Sequence, residues 1–214
     1  RSIASDANGH LRVNVDASAP NYCSGATYLV LLKTLQKLEA VKALSLSPET
    51  VKALGTAPDG KWLDDGHGVW GRWNANGPGT AGLFSDLGMG KNFSDDSFRT
   101  ARPGDFMKIF WGDDVGKKET GHSVILTSVI PEGARGHDVR EVCFWSSNSN
   151  QGFGTKCVER TKLKHIIFSR LTRPEKIADA GRGSLPEKNA YLASLLSHES
   201  SIAEALAQTR ASTK

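Results

Sequence analysis

Apolar residues crowd one early stretch of the chain. Leu29, Val30, Leu31, Leu32, Leu35 and Leu38 fall at spacings that cover most sides of a helix over residues 24–39, which predicts an element buried all round. A short second helix should follow, because Ser47 is a good N-cap, Pro48 suits the first helical position and Gly55 closes the run. Periodicity then gives way to a Gly-, Asn- and Asp-rich excursion over residues 59–96, including "DGHGVWGRWNANGPGTAGLFSDLGMGKNF". Long loops in compact domains are functional or disordered. Trp62, Trp70, Trp73, Phe84 and Phe93 argue for order, so the excursion reads as partly helical and bordering a binding surface. Strand patterns take over at "PGDFMKIFW" (103–111) and continue at 121–130, 140–148, 155–161 and 165–171. Their short polar connections favour an antiparallel meander. Residues 1–20 read as an irregular arm, and the composition after Pro174 reads as a helical tail around 186–209. The pattern is that of an α+β protein, with one domain over 1–173 and a tail over 174–214.

Bulk properties narrow the function. A chain of 214 residues with 38% hydrophobic content can bury one substantial core. No run approaches the roughly 20 apolar residues needed to span a bilayer, so no integral membrane association is expected. A net charge of +4 favours an anionic partner. Nucleic acid is excluded as that partner, because the lysines and arginines are scattered and no basic stripe interleaves with aromatics. No HExxH, CxxC or carboxylate cluster calls for a metal, and no cofactor is expected.

The chain has three cysteines. If the segment "SSNSNQGFG" folds as a hairpin about Asn150, Cys143 stands opposite Cys157. Directly opposed residues have Cβ atoms about 4.5–5.5 Å apart, close enough for a disulfide after modest adjustment. A bridge there implies an oxidising compartment; the alternative is a pair of reduced, buried thiols. Cys23 is then the odd thiol, at the start of the buried helix. It is either a packing residue or a nucleophile whose thiolate the positive helix end stabilises. A nucleophilic cysteine needs a base. Of six histidines, His10 and His198 lie in the arm and tail, His67 and His137 in Gly-rich loops, and His165 at a strand edge. His122 opens a strand, with Val124 and Leu126 on its face. If that face packs on the helix, His122 is directed toward Cys23; otherwise it is a structural histidine.

A cysteine in "NYCSG" opening a buried helix, followed by "RPGDF", "GHSVIL" and a further strand, resembles the NlpC-type papain-like superfamily of cell-wall peptidases and CHAP amidases over roughly residues 20–172. The resemblance implies a thiol hydrolase of peptidoglycan amide bonds, with Cys23 as nucleophile and His122 as base. It also implies a papain-like fold whose nucleophile-bearing helix packs on an antiparallel sheet. The third residue is where the chain departs from the family, whose members commonly place a His, Asn, Asp or Glu on the next strand. In "VCFWSSNSN", Phe144, Ser146 and Asn148 share one face and Cys143, Trp145 and Ser147 the other. A disulfide is expected on the face away from the helix. That leaves Asn148 as the orienting residue and Ser146 as its competitor, although both residue types are also common in turns. Tyr22, beside the nucleophile, is a candidate for binding substrate, and Trp70 and Trp73 are candidates for walling the cleft. Asp105 in the Pro-Gly-Asp turn reads as structural. The expectation is a monomeric, periplasmic or secreted endopeptidase acting on stem peptides. The alternatives are a muramoyl-alanine amidase of the CHAP type, a transferase variant, and a non-catalytic wall- or protein-binding module.

Overall fold

The computed structural model describes residues 3–16, 22–56, 65–133, 138–147 and 152–210. The chain opens with a small hairpin, β1 (Ile3–Ser5) and β2 (Leu11–Val13), where the sequence suggested an irregular arm. Glu39 anchors it, because its buried carboxylate accepts the Leu11 amide at 2.9 Å. Helix α1 (Cys23–Ala40) follows, with Leu31, Leu32 and Leu35 completely buried. Each of these leucines contributes about 1.5–3 kcal/mol by leaving water. The short α2 (Pro48–Ala53) starts as its residues dictate, with Ser47 Oγ accepting the Thr50 amide.

The described part of the Gly-rich excursion, from residue 65 on, holds α3 (Gly68–Asn74), α4 (Gly79–Leu87) and β3 (Gly90–Phe93). Gly88 ends α4 in the left-handed conformation at φ 64°, the usual helix stop. Next come β4 (Phe106–Phe110), the two-residue β5 (Val115–Gly116), β6 (His122–Glu132), β7 (Asp138–Ser147), β8 (Phe153–Glu159) and β9 (His165–Leu171). The six-stranded antiparallel sheet runs β3-β9-β4-β6-β7-β8. Four of the predicted strands form a meander. β9 does not extend it: β9 crosses back to pair with β4 and brings β3 to the sheet edge. Such non-local pairing has no signature in local periodicity.

The two sheet faces are dressed differently. Phe106 and Ile125 join α1, Trp70, Trp73 and Phe84 in one cluster, with Trp145 packed against it. Met107, Ile109, Val124, Leu126, Val142, Phe144 and Phe168 form a second cluster on the opposite face, covered by Phe98 and Leu163. The face expected to meet the helix, that of Val124 and Leu126, is therefore the far one. Alternation identifies which residues share a face but not which face a distant helix will cover.

Past a 3₁₀ turn at Pro174–Ile177 come α5 (Ala178–Gly181), α6 (Ala190–Ser194), β10 (Glu199–Ser200) and α7 (Ile202–Thr209). This tail is integrated into the fold. β10 pairs with β5, Leu192 and Leu195 pack on Ala75, and Ala205 joins Phe110, Val115 and Ile167. Fully buried Arg72 binds Asp86 at 2.7 Å and donates to the Pro186 carbonyl, tying α3 and α4 to the tail. Among the described residues, no helix is long and apolar enough to cross a membrane. Cys143 and Cys157 are directly opposed in β7 and β8 and form a disulfide with a Cα separation of 4.0 Å. By alternation with Trp145, Cys143 lies on the α1 side of the sheet, the reverse of the expected side, yet the pairing itself is the expected one. The bridge indicates an oxidising compartment.

Candidate active site

Cys23 is the first residue of α1, half-buried and unbridged. Tyr22 before it is extended, at φ −76° and ψ 173°, and provides no side-chain cap; no acidic residue stands in the first turn. The amides at this helix end are therefore not neutralised by a local carboxylate, and a thiolate at Cys23 profits from them. Position is fixed from the second residue of the helix onward. Ser24 Oγ donates to Asn74 Oδ1 at 2.6 Å, and the Trp73 indole donates to Ser24 O at 2.9 Å. Thr27 Oγ1 reaches the Cys23 carbonyl at 3.0 Å.

β6 begins directly beside this helix end. Gly121 turns the chain at φ +71°, and His122 follows as the first strand residue. The His122 ring hydrogen-bonds the Cys23 sulfur, and the Ser123 main-chain N–H also donates to it. His122 keeps its parity, because its ring stands edge-on to Phe144 at 6.0 Å on the far face. It reaches Cys23 because it occupies the strand's first position, not because its face covers the helix.

The second neighbour of the sulfur was not anticipated. Lys108, in the middle of β4, is 6% exposed and pairs directly with Ser123 across the sheet. Its Nζ donates to Ser123 Oγ at 3.3 Å. Burial pushes the Cys23 thiol up, but the His122 hydrogen bond, the Lys108 charge, the attraction of His122 and the Ser123 amide outweigh it. Together they hold the thiol at about 6 against an ordinary 9.0. Burial pushes Lys108 down, opposed by Cys23, Asp65 and Glu119. The arrangement is that of an activated nucleophile: a thiolate at a helix start, a ring within hydrogen-bonding reach, and a buried cation close by.

The other expected site residues are distributed differently. Tyr22 is 88% exposed at the mouth of the site and accessible to a substrate. Trp70 and Trp73 do not wall a cleft. Both are buried, their rings 5.1 and 5.5 Å from that of Tyr28, and Trp73 is fully enclosed. They support α1 from beneath, because residues 70 and 73 are one helical turn apart on α3 and point into the core. Ser146 is also fully buried and cannot contact substrate. Its Oγ donates to Ser123 O at 2.7 Å, tying β7 to the residue after His122. Asn148 lies outside the described residues. Asp105 is structural as expected: its carboxylate accepts two 2.7 Å bonds from Arg170 and the Arg102 amide at 2.8 Å.

Lys108, Ser123, Ser24 and Asn74 carried no motif. The one available signal was a lysine flanked by apolar residues within "FMKIF", since a fully buried lysine is rare unless its charge is engaged. Among the described residues, no group of three or more His, Cys, Asp or Glu is placed to hold a metal ion. Two open clefts lie away from Cys23. One of about 480 Å³ is lined by Lys91, Asn92, Phe93 and Arg170, and the other, about 370 Å³, lies between α1 and Trp145 with Phe153. The thiol chemistry, not cleft size, marks the candidate site. No family model matches this chain, no curated protein matches it, and no solved structure matches it.

Proposed function

We propose that this protein is a cysteine hydrolase that cleaves amide bonds in the stem peptides of bacterial peptidoglycan. The observation that carries the reading is Cys23 at the first position of a buried helix, hydrogen-bonded by His122 and held as a thiolate near neutral pH. The thiolate attacks the amide carbonyl to give a tetrahedral oxyanion. Collapse expels the amine, which takes a proton from His122, and leaves a thioester on Cys23. His122 then accepts a proton from water as the water attacks the thioester, and the freed acid departs with Cys23 again a thiolate. Asn148 is the residue we assign to orient the ring, and exposed Tyr22 the one beside the acyl group.

The choice of peptidoglycan rests on the resemblance of "NYCSG", "RPGDF" and "GHSVIL" to NlpC-type hydrolases. The net charge of +4 and the disulfide favour the same choice, and with them a periplasmic or secreted location. Digesting purified sacculi and weighing the products tests the reading. Muropeptides cut inside the stem are the expected outcome. Intact peptides freed from glycan would make the enzyme a muramoyl-alanine amidase, and no release would leave a binding module on this scaffold.

A further inference from the structure

Cys23 and His122 account for nucleophile and base, and Lys108 is the third charged group of the site. Lys108 is buried on the face of β4 opposite Met107 and Ile109, and a buried ammonium costs several kcal/mol unless opposite charge offsets it. Its placement is nevertheless well determined. The stem runs beneath Gly121, where a Cβ would stand only 2.8 Å from Lys108 Cε, and the head rests on Ser123 Oγ at 3.3 Å. Ser123 is the residue opposite Lys108 in the ladder, and its amide donates to the Cys23 sulfur. The charged groups facing Lys108 are Cys23 from α1, Asp65 from the segment before α3 and Glu119 from the loop before β6; His122 faces Cys23 from β6. Both carboxylates are engaged by backbone. Asp65 accepts the Asn76 amide at 3.0 Å, and Glu119 accepts those of Trp111, Gly112 and Gly121 at 3.2, 3.1 and 2.8 Å.

We propose that Lys108 is a positioning residue of the thiol site, whose ammonium, seated on Ser123, is the fixed positive charge that keeps Cys23 a thiolate. In a two-residue pair, the thiolate depends on a protonated ring. With Lys108 as a second cation, the thiolate depends less on the ring's proton, for as long as Cys23, Asp65 and Glu119 offset the downward pull of burial on the ammonium. His122 is thereby released to give a proton to the leaving amine and take one from water. The same charge stabilises the thiolate again when it departs from the thioester. This inference rests on the reading of Cys23 as nucleophile, but not on the identity of the substrate.

The test is the pH dependence of Cys23 alkylation by iodoacetamide in the full chain and in Lys108→Met, which keeps an unbranched stem of similar length. The wild-type rate should reach half its maximum near pH 6. Removing a nearby opposite charge should move that midpoint upward by about one to three pH units. At pH 7 the variant should therefore label about two- to a hundredfold more slowly, while its circular dichroism stays that of the folded wild type. Lys108→Arg should restore part of the shift. An unchanged midpoint in folded Lys108→Met would overturn the proposal. Should that variant not fold, Ser123→Ala decides: removing the hydroxyl seat should raise the midpoint by a smaller amount, and no rise would overturn the proposal. Because alkylation needs no peptidoglycan, this result is independent of whether the hydrolase reading survives.

Discussion

At the level of single residues, reactivity here follows from placement. Cys23 and His122 each open an element, and that position was legible because helix and strand starts can be read from local pattern. Lys108 was not, because nothing local says that a strand lysine will face a thiol rather than solvent. Trp70 and Trp73 were misread for the opposite reason: their three-residue spacing is a helical stripe, but the glycines around them suggested a loop. Two expectations belong at this scale. The hydrolytic rate should rise with pH through about 6, since the attacking species is the thiolate and its proton is lost there. Asn74→Ala removes the acceptor that holds Ser24, and through it the first turn of α1. A displacement of even about 1 Å at a nucleophile costs on the order of 10²-fold in rate, so kcat/KM should fall by about ten- to a hundredfold. The alkylation midpoint should stay near that of wild type in this variant, because every charge around the sulfur remains.

The elements were legible one by one, and their partnerships only in part. Helix α1, the capped α2 and five of the strands follow from periodicity and turn residues, and the opposition of Cys143 and Cys157 follows from hairpin geometry. The insertion of β9 between β3 and β4, and the choice of the Phe106–Ile125 face for α1, depend on packing between segments far apart in sequence. Asp105 shows how such a join is held. It stands at the start of β4, 3% exposed, and clamps Arg170 of β9. Asp105→Ala strands that guanidinium and frees the Arg102 amide, so it should cost about 3 kcal/mol or more in urea unfolding. The β7–β8 bridge closes a loop of separation 14, worth on the order of 3 kcal/mol in the chain-entropy model. Reduction should therefore lower the thermal midpoint by roughly 6–12 °C for a chain of this size, while leaving Cys23 unmodified.

For the molecule as a whole, the tail is the part least visible beforehand. Its composition shows helices but not their docking, which depends on fully buried Arg72, on Asn189 bonding Asp86 at 3.1 Å, and on Leu192 and Leu195 against Ala75. These contacts brace the segment that carries Asn74, so the tail supports the site from behind. Ending the chain at residue 185 should lower stability and hydrolysis together, whereas Asn74→Ala lowers hydrolysis with little loss of stability.

Hydrolysis requires Cys23 to act as a nucleophile with His122, and release of soluble peptide from purified sacculi measures this. Cys23→Ala and His122→Ala should each lower the rate by about 10³-fold or more, because such residues act as a unit. Both proteins should keep the circular dichroism and thermal midpoint of wild type. Release at the wild-type rate by folded Cys23→Ala would contradict the account.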